Sequence, residues 1–282
     1  MLTRRRFCAV GAAAALAMQA RLQAAAATRS GVEFGVQLYT VRNLVSDLPG
    51  TLKMIRSIGY STIETFPPVY DQPAKALKAM INNAGLTAPS GHFDYETLEV
   101  KVDYAAELGL STMICPIIPR AQWDSLDGFK QAAKHYNKAA ARAQAAGLKF
   151  GVHPLNYEYR QLKGGRGIDV LMRELDPAVR LELDVYWAVE GGQNPLEMMR
   201  KYSTRLALIH IKDRKPVAGF TYVPEGQTDF TEAGSGTIDW KAVLGEARRL
   251  GVTQFFVDQD ASDLPVEQSL RVNWKYLSGL SF

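Results

Sequence analysis

Residues 180–210 open on RLELD (180–184) and close on LALIH (206–210), two short β-rich runs that each end in a residue able to ligate a metal, Asp184 and His210. The same construction flanks them: KFGVHPLNYE (149–158) ends on Glu158, and QFFVD (254–258) ends on Asp258. Glu158 and Asp184 are 26 residues apart, and Asp184 and His210 are again 26 apart, close to one strand-plus-helix unit. A closed parallel α/β barrel draws its reactive side chains from the C-terminal ends of several different strands. Taken singly, each residue has an ordinary use: Glu158 as partner of Arg160, Asp184 as a loop cap, His210 as a core histidine, Asp258 as a turn residue. Four such endings in succession predict one rim and one site.

Strand-like and helix-like runs alternate outward from this segment in both directions. Upstream, EFGVQLYT (33–40), STIET (61–65), TAPSGHF (87–93) and STMICPII (111–118) read as strands. Helical spacing falls between them at 48–58, 73–83, 96–108 and 126–146, each run closing at or near a glycine, the residue that caps helices best. Downstream, helical patterns at 168–175, 195–201, 239–250 and 265–277 separate or follow the remaining strands, with Pro195 at a permitted first-turn position. The longest connection is the Gly- and Pro-containing stretch 216–236. Eight alternations predict an α/β chain folded as a single-domain (β/α)₈ barrel over residues 31–282, in preference to an open doubly wound sheet. No Walker loop, GxGxxG turn, zinc-knuckle cysteine pattern or short repeat is present. GGRG (164–167) lacks phosphate-loop spacing and reads as a mobile loop over the site.

The N-terminus reads separately. Arg4-Arg5-Arg6-Phe7, an apolar run from Cys8 to Ala20 and the small residues Ala24–Ala27 have the build of a cleaved signal peptide over 1–27, and the arginines before Phe7 fit a twin-arginine signal. That places the mature protein in the periplasm or outside the cell, with no stable membrane anchor. The formal charge of +4 shrinks to near zero once Arg4, Arg5, Arg6 and Arg21 are removed, so nothing advertises a nucleic-acid partner. Cys115 is then the only cysteine, set in an apolar run, and no intramolecular disulfide is expected.

Glu158, Asp184, His210 and Asp258 form a hard, mostly oxygen ligand set for one divalent ion, favouring Mn²⁺, Mg²⁺ or Co²⁺ with Zn²⁺ or Fe²⁺ also accommodated. Such an ion polarises a carbonyl and stabilises the charge formed when the adjacent carbon loses a proton, and flanking carboxylates such as Glu158 and Asp258 can carry that proton. Lys212, two residues beyond His210, shares its face if the strand continues and can polarise a substrate oxygen. Arg214 repeats the spacing, with a solvated loop position as its plainer use. His153, His92 and Glu64 fall at or near strand ends as substrate contacts, Gln37 and Tyr39 share a face of strand one, and Trp187 offers a flat wall to a sugar ring. His135, between Lys134 and Lys138, reads as surface.

At GVQLYTVR (35–42), HPLNYEY (153–159), ELDVYWA (182–188), HIKD (210–213), GSGTIDW (234–240) and FVDQD (256–260), the chain resembles the sugar phosphate isomerase/epimerase family of xylose-isomerase-like barrels. The resemblance implies a divalent ion on Glu158, Asp184, His210 and Asp258, with the acids in the places of Glu158 and Asp258 exchanging protons with the substrate. Two positions depart from the family pattern. His153-Pro154-Leu155-Asn156 stands where relatives carry a His-Asn-His-Asp type segment, and Asp258 stands where they carry Glu. The expectation is a metal-dependent isomerase or epimerase of an unphosphorylated keto-sugar or cyclitol. The alternatives are a lyase or dehydratase acting by β-elimination on a 3-keto-glycoside or inosose, and a non-catalytic carbohydrate-binding barrel. A homo-oligomer is compatible with the chain.

Overall fold

The computed structural model describes residues 32–282; the expected signal segment 1–27 lies outside the described residues. Eight parallel strands close into a barrel: β1 Glu33–Gln37, β2 Thr62–Thr65, β3 Thr87–His92, β4 Thr112–Cys115, β5 Lys149–Val152, β6 Arg180–Asp184, β7 Leu206–Ile211 and β8 Gln254–Val257. Each strand pairs with its neighbours in sequence, and β1 closes the ring on β8 through Gly35↔Phe256 and Val36↔Val257. This is the single (β/α)₈ barrel the alternation predicts. No helix among the described residues is long and apolar enough to cross a membrane.

Boundaries differ from the sequence reading where side chains compete with the ladder. β1 ends at Gln37 because its side-chain oxygen accepts from the Tyr39 amide and starts a 3₁₀ segment, Leu38–Asp47. Gln37 and Tyr39 therefore do not share a strand face: Gln37 is fully buried and Tyr39 is 39% exposed. The helix expected over 96–108 forms only at Val102–Leu108, after a 3₁₀ turn at Tyr95–Thr97. His135 is half-buried rather than surface, its Nε2 lying 2.8 Å from the Tyr95 carbonyl.

Side chains alternate across a strand, so every second residue enters the barrel. Ile114, Leu208 and Phe256 form an apolar plug separate from the main strand–helix core. Gly35 leaves room for it; a Cβ there would stand 2.6 Å from the Phe256 ring and 2.4 Å from Thr62 Oγ1. Two residues further along the same parity come Gln37 on β1, His153 after Gly151, His210 after Leu208 and Asp258 after Phe256. A polar layer thus sits directly on the plug, at the C-terminal end of the barrel.

Beside this layer, Asp213 faces the opposite way and ties down the chain. Its carboxylate accepts from the amides of Arg214, Gly234, Gly236 and Ile238, at 2.8 to 3.2 Å, and from Trp240 Nε1 at 2.9 Å. Gly236 is required by this approach, since a Cβ would lie 2.3 Å from Asp213 Oδ1. HIKD and GSGTIDW are thereby joined at the two roots of the long 216–236 connection.

Candidate active site

Two groups of ligand-type atoms share His210. One comprises Glu64, His92, Glu182 and His210, the other His153, Asp184, His210 and Asp258; all seven residues are buried, and within each group the ligand atoms lie within 4.8 Å of one another. His210 Nε2 stands 2.7 Å from Glu64 Oε2 and 3.2 Å from Glu182 Oε1, whereas Nδ1 stands 3.2 Å from Asp258 Oδ2 and 3.8 Å from Asp184 Oδ2. A ligating imidazole binds metal through one nitrogen and gives its other N–H to a carboxylate. Glu64 and Glu182 fill that backing role, held in turn by Gln37 Nε2, which donates to Glu64 at 2.8 Å, and by His92, 2.8 Å from Glu182.

The second group fits a divalent ion. Asp184 Oδ2, Asp258 Oδ1, His210 Nδ1 and both nitrogens of His153 are buried without hydrogen-bond partners. Buried polar atoms are normally paired, so unpaired ones gathered this closely suit a cation. Charge agrees, since Glu64, Glu182, Asp184, Asp258 and Asp260 crowd around one lysine and three histidines. Two imidazoles and two carboxylates are also a softer donor set than the one expected from sequence, which moves the fit towards Zn²⁺, Fe²⁺, Mn²⁺ or Co²⁺ and away from Mg²⁺.

The structure brings together three of the four residues expected as ligands and places Glu158 elsewhere. Strand β5 stops at Val152, and Glu158 lies beyond Pro154 in a 3₁₀ turn, Tyr157–Tyr159, with its Oε2 accepting from its own segment's Leu155 amide at 3.0 Å. It belongs to neither ligand group. Burial pushes its carboxyl well above the usual range despite that amide, which disfavours the ionised form. His153 occupies the strand-five position instead. Burial holds His153 below the usual histidine range, which leaves the neutral imidazole that metals bind. The Glu158→Gln enzyme is therefore expected to keep its metal content and to lose no more than about 1 kcal/mol of stability, since an amide of the same shape can still accept from the Leu155 amide. Metal analysis and denaturant melts check this; loss of the ion would restore Glu158 as a ligand.

Lys212 stands at the centre of the acidic wall. Its Nζ is 3.2 Å from Asp184 Oδ2 and 2.9 Å from Asp258 Oδ2, and it also donates to Asp260. The rings of Trp187, Tyr186 and Phe230 lie 5.1 to 5.7 Å from it. Burial opposes its charge, but the three carboxylates raise it above the ordinary lysine value, so it is a fixed cation. The same lysine, with His210, holds Asp258 well below the carboxylate range against the effect of burial. Asp260 behaves oppositely: burial pushes it up to about 6 despite Lys212 beside it.

Above this floor opens a cavity of about 1160 Å³. Gln37, Tyr39, His92, His153, Trp187 and Asp258 line it, and Glu64 lies beneath. Arg214 departs from both of its expected uses. It is buried, with Nε 2.6 Å from Glu190 and 3.2 Å from Asp229, while Nη1 and Nη2 donate to the carbonyls of Val217 and Gly219. Its guanidinium thus ties Glu190 to the 216–236 connection, and Arg214 does not line the cavity. GGRG closes a small hairpin, Gln161–Leu162 with Gly165–Arg166, and does not line the cavity, contrary to its reading as a cover. Glu182 and Asp260 escaped the sequence reading. Each lies two residues from a recognised ligand, so strand parity was the available signal.

His92 gives the metal-free protein a pH dependence. Burial disfavours its charge, but Glu64 and Glu182 outweigh burial and push it from 6.5 to about 9. A raised folded-state value stabilises fully below about pH 6.5, and the contribution is lost as pH rises through about 9. Chelator-treated protein should lose stability across that window, by at most about 1.4 kcal/mol per pH unit for this group. Urea melts at pH 6, 7.5 and 9 test it, and His92→Gln should flatten the slope.

The model of the xylose isomerase-like TIM barrel family matches residues 52–258. The chain belongs to that family. Among curated members of similar sequence, an inosose dehydratase of Clostridium tetani is 29% identical over 177 residues, covering 57% of this chain and 56% of that protein, so the match spans little more than half of the relative. A solved sugar phosphate isomerase/epimerase from Parabacteroides distasonis superposes with a TM-score of 0.75 at 26% identity, covering 88% of this chain and 94% of that one. The IOLI protein, solved with a bound zinc atom, has a TM-score of 0.68 over 87% of this chain and 96% of its own, and at 14% identity it shares the fold.

Proposed function

We propose that the protein is a metal-dependent lyase or dehydratase. It removes a proton beside a carbonyl of an unphosphorylated keto-sugar, keto-glycoside or cyclitol and expels the substituent on the next carbon. The observation that carries this reading is that the β5 end offers no free carboxylate opposite the acids of β8. Asp258 and Asp260, flanking Lys212, stand at the end of β8, whereas the β5 position holds His153 and Glu158 is turned into its own backbone. Epimerisation by two acids needs a carboxylate on each face of the reacting carbon, while elimination needs one base and a proton for the leaving group.

A divalent ion held by His153, Asp184, His210 and Asp258 would supply Lewis-acid polarisation of the carbonyl. Asp258, at the cavity floor beside Lys212, takes the proton. Lys212 holds Asp184, Asp258 and Asp260 in place from beneath as a preorganised positive charge, and Asp260 returns a proton to the departing oxygen. The inosose dehydratase named among the relatives supports the elimination chemistry. A second reading, isomerisation or epimerisation, is supported by the Parabacteroides distasonis relative. The sequence at 1–27 supports export by a twin-arginine route, which N-terminal sequencing of protein from the periplasmic fraction tests.

Metal-loaded protein incubated with ketoses, inososes and 3-keto-glycosides in D₂O separates the readings. An unsaturated carbonyl product is expected. Deuterated epimer without unsaturated product would favour the second reading, and no exchange with any compound would sink both.

A further inference from the structure

The cavity is larger than the polar patch on its floor, and its walls differ in character. Its volume, about 1160 Å³, exceeds the ~300–1,000 Å³ typical of pockets for drug-sized ligands. The polar lining comes from strand ends. Much of the remainder is apolar: Phe66, Pro67 and Pro68 follow β2, and Ile117, Pro119 and Trp123 follow β4. Ile117 is 50% exposed, yet it opens into this concavity. Charges at the rim already have partners. Arg42 donates to the carbonyls of Tyr39 and Asp260 at 2.9 and 2.7 Å and stacks 4.2 Å from the Tyr39 ring. Arg120 lies 3.5 Å from Glu225 and 4.4 Å over the Trp123 ring. Arg42 has both ends of its guanidinium fork engaged, Arg120 is shared with an acid, and Asp94 and Glu96 at the rim would repel a phosphate.

The geometry points to a second subsite in which these walls hold a flat ring with apolar faces, joined through oxygen to the reacting sugar, so that the substrate is a glycoside. Proline and aromatic faces complement such rings, whereas a free monosaccharide would leave the walls wet. The assignment rests on the elimination reading, in which the second ring is the leaving group. The C–H proton passes to Asp258, and the C–O bond to the ring breaks with its electron pair on oxygen. That oxygen takes a proton from Asp260, and the remaining sugar keeps a double bond conjugated with its carbonyl. Reactant and products balance as glycoside to unsaturated keto-sugar plus alcohol.

An aromatic aglycone and a second sugar share this chemistry, and two probes separate them. Elimination is measured on methyl, benzyl and glucosyl 3-keto-glucosides, the benzyl compound being used because its leaving group resembles methanol in basicity. At least one ring-bearing substrate should show about tenfold higher kcat/KM than the methyl compound, the size expected of one stacked apolar ring. Ile117→Ser should bring that ratio close to one. Equal kcat/KM for all three, or a ratio unchanged in Ile117→Ser, would overturn the assignment. If none of the three is turned over, calorimetric binding of the unoxidised benzyl and methyl glucosides still decides. About tenfold tighter benzyl binding upholds the subsite while the elimination reading falls, and equal binding removes the subsite.

Discussion

His210→Ala protein is expected to purify without its divalent ion and to lose at least about a thousandfold in turnover. Lewis-acid stabilisation is worth several kcal/mol, and each 1.4 kcal/mol is a factor of ten. The effect exceeds that of removing an ordinary ligand because His210 serves two groups. Its Nδ1 faces Asp258 and Asp184, while its Nε2 holds Glu64 and Glu182. Truncation leaves four buried carboxylates facing one another across an empty volume. Elemental analysis together with turnover of the best substrate checks this. A variant that retains one equivalent of tightly bound metal and a tenth of wild-type activity would remove His210 from the centre of the site.

Lys212→Met is expected to cost about 3–5 kcal/mol, the range for breaking a buried ion pair from one side, because Asp184, Asp258 and Asp260 lose their common cation. For a chain of this size that corresponds to a fall in Tm of roughly 10 °C. Methionine keeps the stem among Trp187, Tyr186 and Phe230, so the loss reports charge more than packing. Added divalent metal should recover part of the stability, because the ion brings positive charge to the same acids, but turnover should stay low because Asp258 and Asp260 lose the cation that positions them. Calorimetry in chelator and in metal distinguishes these effects. A Tm in chelator within ~2 °C of wild type would show that the lysine does not compensate the acids.

The barrel was legible because its physical signals are redundant: eight β-rich runs, glycine-capped helices and a chain length that one barrel accommodates. Asp184, His210 and Asp258 were legible because each closes or directly follows an apolar strand. Glu158 lies outside both ligand groups for an identifiable reason. The strand-like look of KFGVHPLNYE hides a stop at Val152, after which Pro154 and the 3₁₀ turn carry Glu158 out of the sheet. Counting by twos from Gly151 reaches His153, and counting by twos from Asp184 and Asp258 reaches Glu182 and Asp260. Arg214 obeys the same count and still points away, because Glu190 and Asp229, distant in sequence, claim its guanidinium. Pairing across such distances is set by tertiary structure and leaves no local mark.

The five N–H groups converging on Asp213 have a bearing on how this barrel can change. They fasten both roots of the 216–236 connection to the residue that follows Lys212, so the span between the roots behaves as a closed loop. Closing such a loop costs free energy that grows only with the logarithm of its length. Insertions, deletions or grafted segments there should leave His210 and Lys212 in place while reshaping the cavity wall that carries Pro224 and Gln227. The chemistry and the choice of substrate are thereby open to separate variation, in nature or by engineering, with one carboxylate as the boundary between them.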